Sequence, residues 1–96
     1  MIIHHAVLNI KPGQSKAFEA AMAEARPLIE AAPGFHKMEI RPCHETKDRY
    51  LFLVWWNTIE AHTQGFRNSP AYADWSALTH KFYTPFPTIQ HFTTPL

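Results

Sequence analysis

The chain has one cysteine, Cys43, so no disulfide can form within it, and a redox role for that thiol has no resolving partner in the same molecule. Cys43 lies between Pro42 and His44 in a turn-forming stretch and reads as an ordinary residue. Charge is scarce too: 18% of the 96 residues are charged and the formal net charge is +1. No basic stripe can neutralise a run of phosphates and no acidic tail invites a cationic partner, which excludes nucleic acid. No apolar run approaches the roughly 18 residues that span a bilayer, and the N-terminus carries His4 and His5 where a signal peptide has an unbroken apolar stretch. The expectation is a cytoplasmic protein with no membrane partner. A metal site has no support, because there is no His-x-His pair and no Glu-x-x-His with a partner on one helix. A nucleophilic triad fares no better, since no serine sits on a glycine-bounded elbow.

What the chain does have is apolar and aromatic bulk: 46% hydrophobic residues, 14% aromatics and seven histidines. That supports one domain, residues 1–96, with a real core, though so small a domain leaves much surface exposed and gains from oligomerisation.

Ile2 to Ile10 alternates Ile3, His5, Val7 and Asn9 against Ile2, His4, Ala6, Leu8 and Ile10, which predicts a strand with apolar groups on both faces. Lys11, Pro12 and Gly13 break it. Phe18, Met22, Ala25 and Ile29 then recur at helical spacing, predicting an amphipathic helix from about Gln14 to Ala32. Pro27 inside that helix lacks an amide proton and predicts a kink or interruption near Ala23 to Arg26, and Pro33 and Gly34 end it. Phe35, Lys37 and Glu39 alternate against His36, Met38 and Ile40 in a second strand. The stretch from Pro42 to Arg49 is a hairpin loop, and the run Tyr50 to Trp56 is a central strand.

Asn57 with Glu60 three residues on has the form of a capping box, predicting a short helix through Phe66. Ser69 before Pro70 predicts a capped longer helix to about Phe82. After an irregular stretch from Tyr83 to Pro87, the segment Thr88 to Thr94 alternates as a last strand. The order β-α-β-β-α-β defines an α+β, ferredoxin-like split βαβ fold with an antiparallel four-stranded sheet. Helices cover one face of such a sheet, yet both faces here are apolar, so a homodimer through the open sheet face is expected.

With this order, the segments VLNIKPG, PGF, FLVWWNTIEAH, NSPAYADW and FPTIQHF make the chain resemble the antibiotic biosynthesis monooxygenase family over nearly its whole length. A sister family of stress-responsive dimeric barrels is similar at MIIHHAVLNIKPG, and fold alone does not separate the two. The resemblance implies a dimeric α+β barrel. In its enzymes it implies oxygen-dependent oxidation of an aromatic polyketide or quinol without metal or flavin, or oxidative opening of haem. The haem-degrading members use an asparagine, a tryptophan and a histidine at places that fall here at about Ala6, Gly65 and Ser76, so that branch does not carry over.

Cofactor-independent oxygenation needs a dry cavity, a base near neutral pH and donors for the anion that forms. His80 and His91 are the candidate catalytic bases. His4 and His62 are candidates for the cavity wall, and alternation forbids His4 and His5 from both reaching it. Trp55, Phe66, Tyr72 and Trp75 are candidate aromatic contacts for a flat substrate, and Arg67 a holder of anionic oxygen. Each has a plainer reading: the Tyr72, Trp75 and Phe82 stripe as core, Arg67 as a solvated charge, and each histidine as a structural or surface imidazole. The chemistry expected is a small monooxygenase acting on an aromatic molecule with no cofactor. The alternative is a non-catalytic binding or stress-response module using the same cavity, with haem binding a third reading.

Overall fold

A computed structural model describes residues 1–96. β1 (Ile2–Asn9) carries the alternation into three dimensions: His4, Ala6 and Leu8 are buried, while Val7 on the other face is exposed. α1 (Ser15–Glu30) lays Phe18, Met22, Ala25 and Ile29 on the sheet. It then turns through Gly34, whose φ of +85° suits glycine. A Cβ there would also lie 2.7 Å from Ala61 Cβ, so the approach of the next connection depends on its absence.

β2 (Phe35–Pro42) and β3 (Arg49–Trp56) form the hairpin, and β4 (Gln90–Phe92) closes the sheet in the order β2-β3-β1-β4, with every pairing antiparallel. β3 is therefore central, as its composition predicts. Its even-numbered residues Tyr50, Phe52, Val54 and Trp56 are buried under the helices, and Leu51, Leu53 and Trp55 face outward half-buried. No helix is long and apolar enough to cross a membrane.

Five local expectations are corrected, the last at β4. α1 is not interrupted at Pro27, because only one carbonyl loses its partner and the apolar stripe on either side stays packed. A bulge between Phe35 and Lys37 sets two β2 residues against one on β3, so Phe35 pairs with Trp56 instead of sharing a face with Lys37. Its ring meets the Trp56 edge at 5.9 Å. The Asn57 capping box does not form: Thr58 Oγ1 accepts from Ala61 N at 3.2 Å, and the Asn57 side chain hydrogen-bonds His36. Ser69 is the residue before the longer helix, but its hydroxyl donates back to Phe66 O at 2.7 Å and caps nothing.

The segment Ala61–Phe66 is a π-helical turn, followed by α2 (Pro70–Thr79) and a 3₁₀ turn His80–Phe82. β4 is shorter than the alternation predicts, pairing with β1 only at Ile3–Phe92, His4–His91 and His5–Gln90. The two prolines ahead of it leave no room for a longer ladder.

Candidate functional site

The space between sheet and helices is filled at one end and hollow at the other. Three elements bring histidines to the hollow end. β1 supplies His4, whose cross-strand partner on β4 is His91, and the π-helical turn supplies His62. That wide turn closes with Arg67 N donating to His62 O at 3.1 Å, a five-residue step that places His62 and Phe66 together on its buried side.

His62 is clamped. Its ring stacks on His4 at 4.2 Å and 16° on one side and on Trp56 at 5.4 Å and 14° on the other. Its Nδ1 is 2.8 Å from His91 Nε2, a hydrogen bond in which one ring donates and the other accepts. Burial pushes His4 down to about 2, with the neighbouring His62, His91 and Arg67 acting in the same direction. Burial likewise pushes His62 down to about 3, helped by the Arg67 charge, and His91 is lowered by burial and then by Arg67. The cluster is therefore uncharged at neutral pH and only weakly basic, and its ring nitrogens serve as hydrogen-bond donors and acceptors.

A cavity of about 30 Å³ opens beside this cluster. His4, His62, Phe66, Arg67, Tyr72 and Trp75 line it, and so does His80. His80 sits on the 3₁₀ turn against Phe86 at 4.9 Å and Tyr83 at 5.6 Å, and burial lowers its basicity. Arg67 is the one permanently charged residue of the lining, and none of the three ion pairs of the protein includes it. Burial holds the Tyr83 phenol up at about 12, so it stays protonated.

Two candidates lie outside the lining. His91 reaches the cavity only through His62. Trp55 is on the open sheet face with Lys37 Nζ 4.7 Å above its ring, on the side away from the helices. Conversely, Phe52, Tyr83, Phe86 and Ile89 line the cavity although none was a candidate, and Trp56 backs the histidine stack. Even-odd alternation was the available signal for Phe52 and Trp56; Phe86 opens the segment FPTIQHF, but no periodicity aims its ring at the cavity. No group of three histidine, cysteine or acidic side chains is placed to hold a metal ion.

A ferredoxin-like α+β domain with an aromatic, histidine-lined cavity under its helices is the class these features define. Residues 1–78 match the model of the family described as antibiotic biosynthesis monooxygenase, and the chain belongs to that family. It is 46% identical over 92 residues to the uncharacterised protein YczJ of Bacillus subtilis strain 168, covering 96% of this chain and 97% of that one. A crystal structure from Bordetella bronchiseptica assigned to the same family superposes with a TM-score of 0.93 at 32% identity, covering 99% and 97% of the two chains. SnoaB, a cofactor-independent oxygenase from Streptomyces nogalater, shares the fold with a TM-score of 0.85 at 15% identity, covering 99% of this chain and 93% of its own.

Proposed function

We propose that the protein is a small cytoplasmic, cofactor-independent monooxygenase for a flat aromatic compound of quinol or polyketide type, working as a homodimer through the open sheet face. The observation that carries the reading is the pairing of uncharged histidines with a single unpaired guanidinium in an aromatic-walled cavity. A neutral imidazole, His80 at the wall, takes the proton of the substrate hydroxyl, and Arg67 holds the resulting anionic oxygen. The electron-rich anion then reacts with O₂ directly. For a ring methylene the balance is one CH₂ converted to C=O, one O₂ consumed and one water released, so the substrate supplies all the electrons. His91, hydrogen-bonded to His62, orients that ring at the cavity wall.

The open face supports the dimer. Ile3, Leu51, Leu53 and Trp55 share it half-buried with the exposed Val7 and Phe92, an apolar surface that a second sheet would cover.

A second reading is a binding module without catalysis, and it places the same demand on the cavity's size. At about 30 Å³ it is far below the roughly 300 Å³ of a ligand site, so a flat substrate enters only if side chains such as the exposed Phe86 swing aside. Metal-free protein incubated with a panel of quinols and anthrones under ¹⁸O₂ separates the two. The monooxygenase reading expects oxygen uptake and one labelled atom per product molecule. Background uptake with every compound, alongside retained binding, favours the module.

A further inference from the structure

On the sheet-side wall of the cavity is a polar side chain that the protein itself does not use. His4 is 4% exposed, and neither its Nδ1 nor its Nε2 has a hydrogen-bond partner in the protein. Its face is occupied by the His62 ring at 4.2 Å, and the Phe52 ring is 5.3 Å away. His91, its cross-strand neighbour, commits Nε2 to His62. Leaving a buried donor and acceptor unmatched costs folding stability, and an apolar residue would suit this strand position between buried neighbours better. Trp56 Nε1, Ser76 Oγ and His5 Nδ1 are also buried without partners, but none of those residues lines the cavity, whereas His4 does.

We infer that His4 is a specificity-determining residue, an anchor that hydrogen-bonds the hydroxyl of a flat aromatic ligand and so selects phenol-type compounds over their ethers and hydrocarbons. A neutral imidazole offers one N–H donor and one lone-pair acceptor, the complement of a hydroxyl, which also donates once and accepts. Its lowered basicity keeps it in that uncharged form throughout the neutral range. The ring walls contributed by Phe52, Phe66 and Trp75 then discriminate for flatness, and the imidazole discriminates for the hydroxyl. The inference rests on the reading of this cavity as a substrate site and names the chemical class it takes.

The test uses 1-naphthol and 1-methoxynaphthalene as probes on the whole protein, read by calorimetry and by the imidazole ¹⁵N shifts of His4. Wild type should bind 1-naphthol about fivefold to tenfold more tightly than the ether, with the His4 resonances moving on 1-naphthol addition. In H4F and H4L that preference should disappear while the melting temperature stays level or rises. The ether arm needs no variant, so it stands even if a substitution fails to fold. Equal binding of the two probes by wild type, no binding of 1-naphthol, or an unchanged preference in both variants would each overturn the inference. Quinol-dependent oxygen uptake that survives H4F would sink the anchor and leave the monooxygenase; His4-dependent naphthol binding without any uptake would do the reverse.

Discussion

The two ends of the layer between sheet and helices are built on opposite principles. At one end Phe18 is fully buried against Tyr50 at 5.1 Å and Phe82 at 5.9 Å. The polar group there has a partner: Tyr50 is hydrogen-bonded to Glu19. At the other end a cavity remains, and His4 and Trp56 bury nitrogens with no protein partner. A fold of this size holds only marginal stability, so polar groups left unmatched in its interior mark where structure has been given over to a site.

Truncating the filled end should cost most. Phe18→Ala is expected to remove about 3–5 kcal/mol in chemical denaturation, whereas Ile89→Ala, bordering the existing hollow, should cost about 1 kcal/mol. Comparable losses at the two sites would erase the contrast.

Acid should act on the hollow end. His4 and His62 are held near 2 and 3 in the fold, so between their unfolded value of 6.5 and those values the unfolded chain binds more protons. Stability is therefore fully present above about pH 6.5 and is lost as pH falls toward 3, by up to about 2.7 kcal/mol per pH unit for the two groups together. The groups facing them, His91 and Arg67, carry either no charge or a positive one and cannot offset the effect. Denaturation midpoints at pH 7 and pH 5 measure it, and H4L should flatten the dependence.

The two sheet faces offer a smaller contrast. Leu53→Asp on the open face should leave the protomer's stability within about 1 kcal/mol while abolishing, in sedimentation, the dimer proposed for the wild type. Smallest in stability is Arg67→Gln, within about 0.5 kcal/mol because that side chain makes no ion pair, yet oxygen uptake should fall by about 100-fold.

Strand and helix identity was legible because the periodicities are strong: β1 sorts Ala6 and Leu8 from Val7, and α1 places Phe18, Met22, Ala25 and Ile29 in one stripe. Alternation also separates His4 from His5. Cap chemistry was less legible, since Asn57 and Ser69 have cap-forming side chains that a nearby imidazole and carbonyl claim first. The bulge at Phe35 left no signal, because a one-residue slip depends on how the hairpin meets Trp56. For the site, helix spacing brought Tyr72 and Trp75 to the cavity, but the clamp on His62 joins the π-helical turn to β1, β3 and β4, a meeting set by tertiary packing. Trp55 was separable from Trp56 in face but not in role.

Oxygen-electrode traces of metal-free wild type, H80Q and R67Q with one responsive quinol or anthrone test the central claim most directly. The account requires substrate-dependent uptake by wild type that drops at least tenfold in both variants while their melting temperatures hold. Uptake that is equal in all three proteins, or absent from wild type with every substrate, would contradict it.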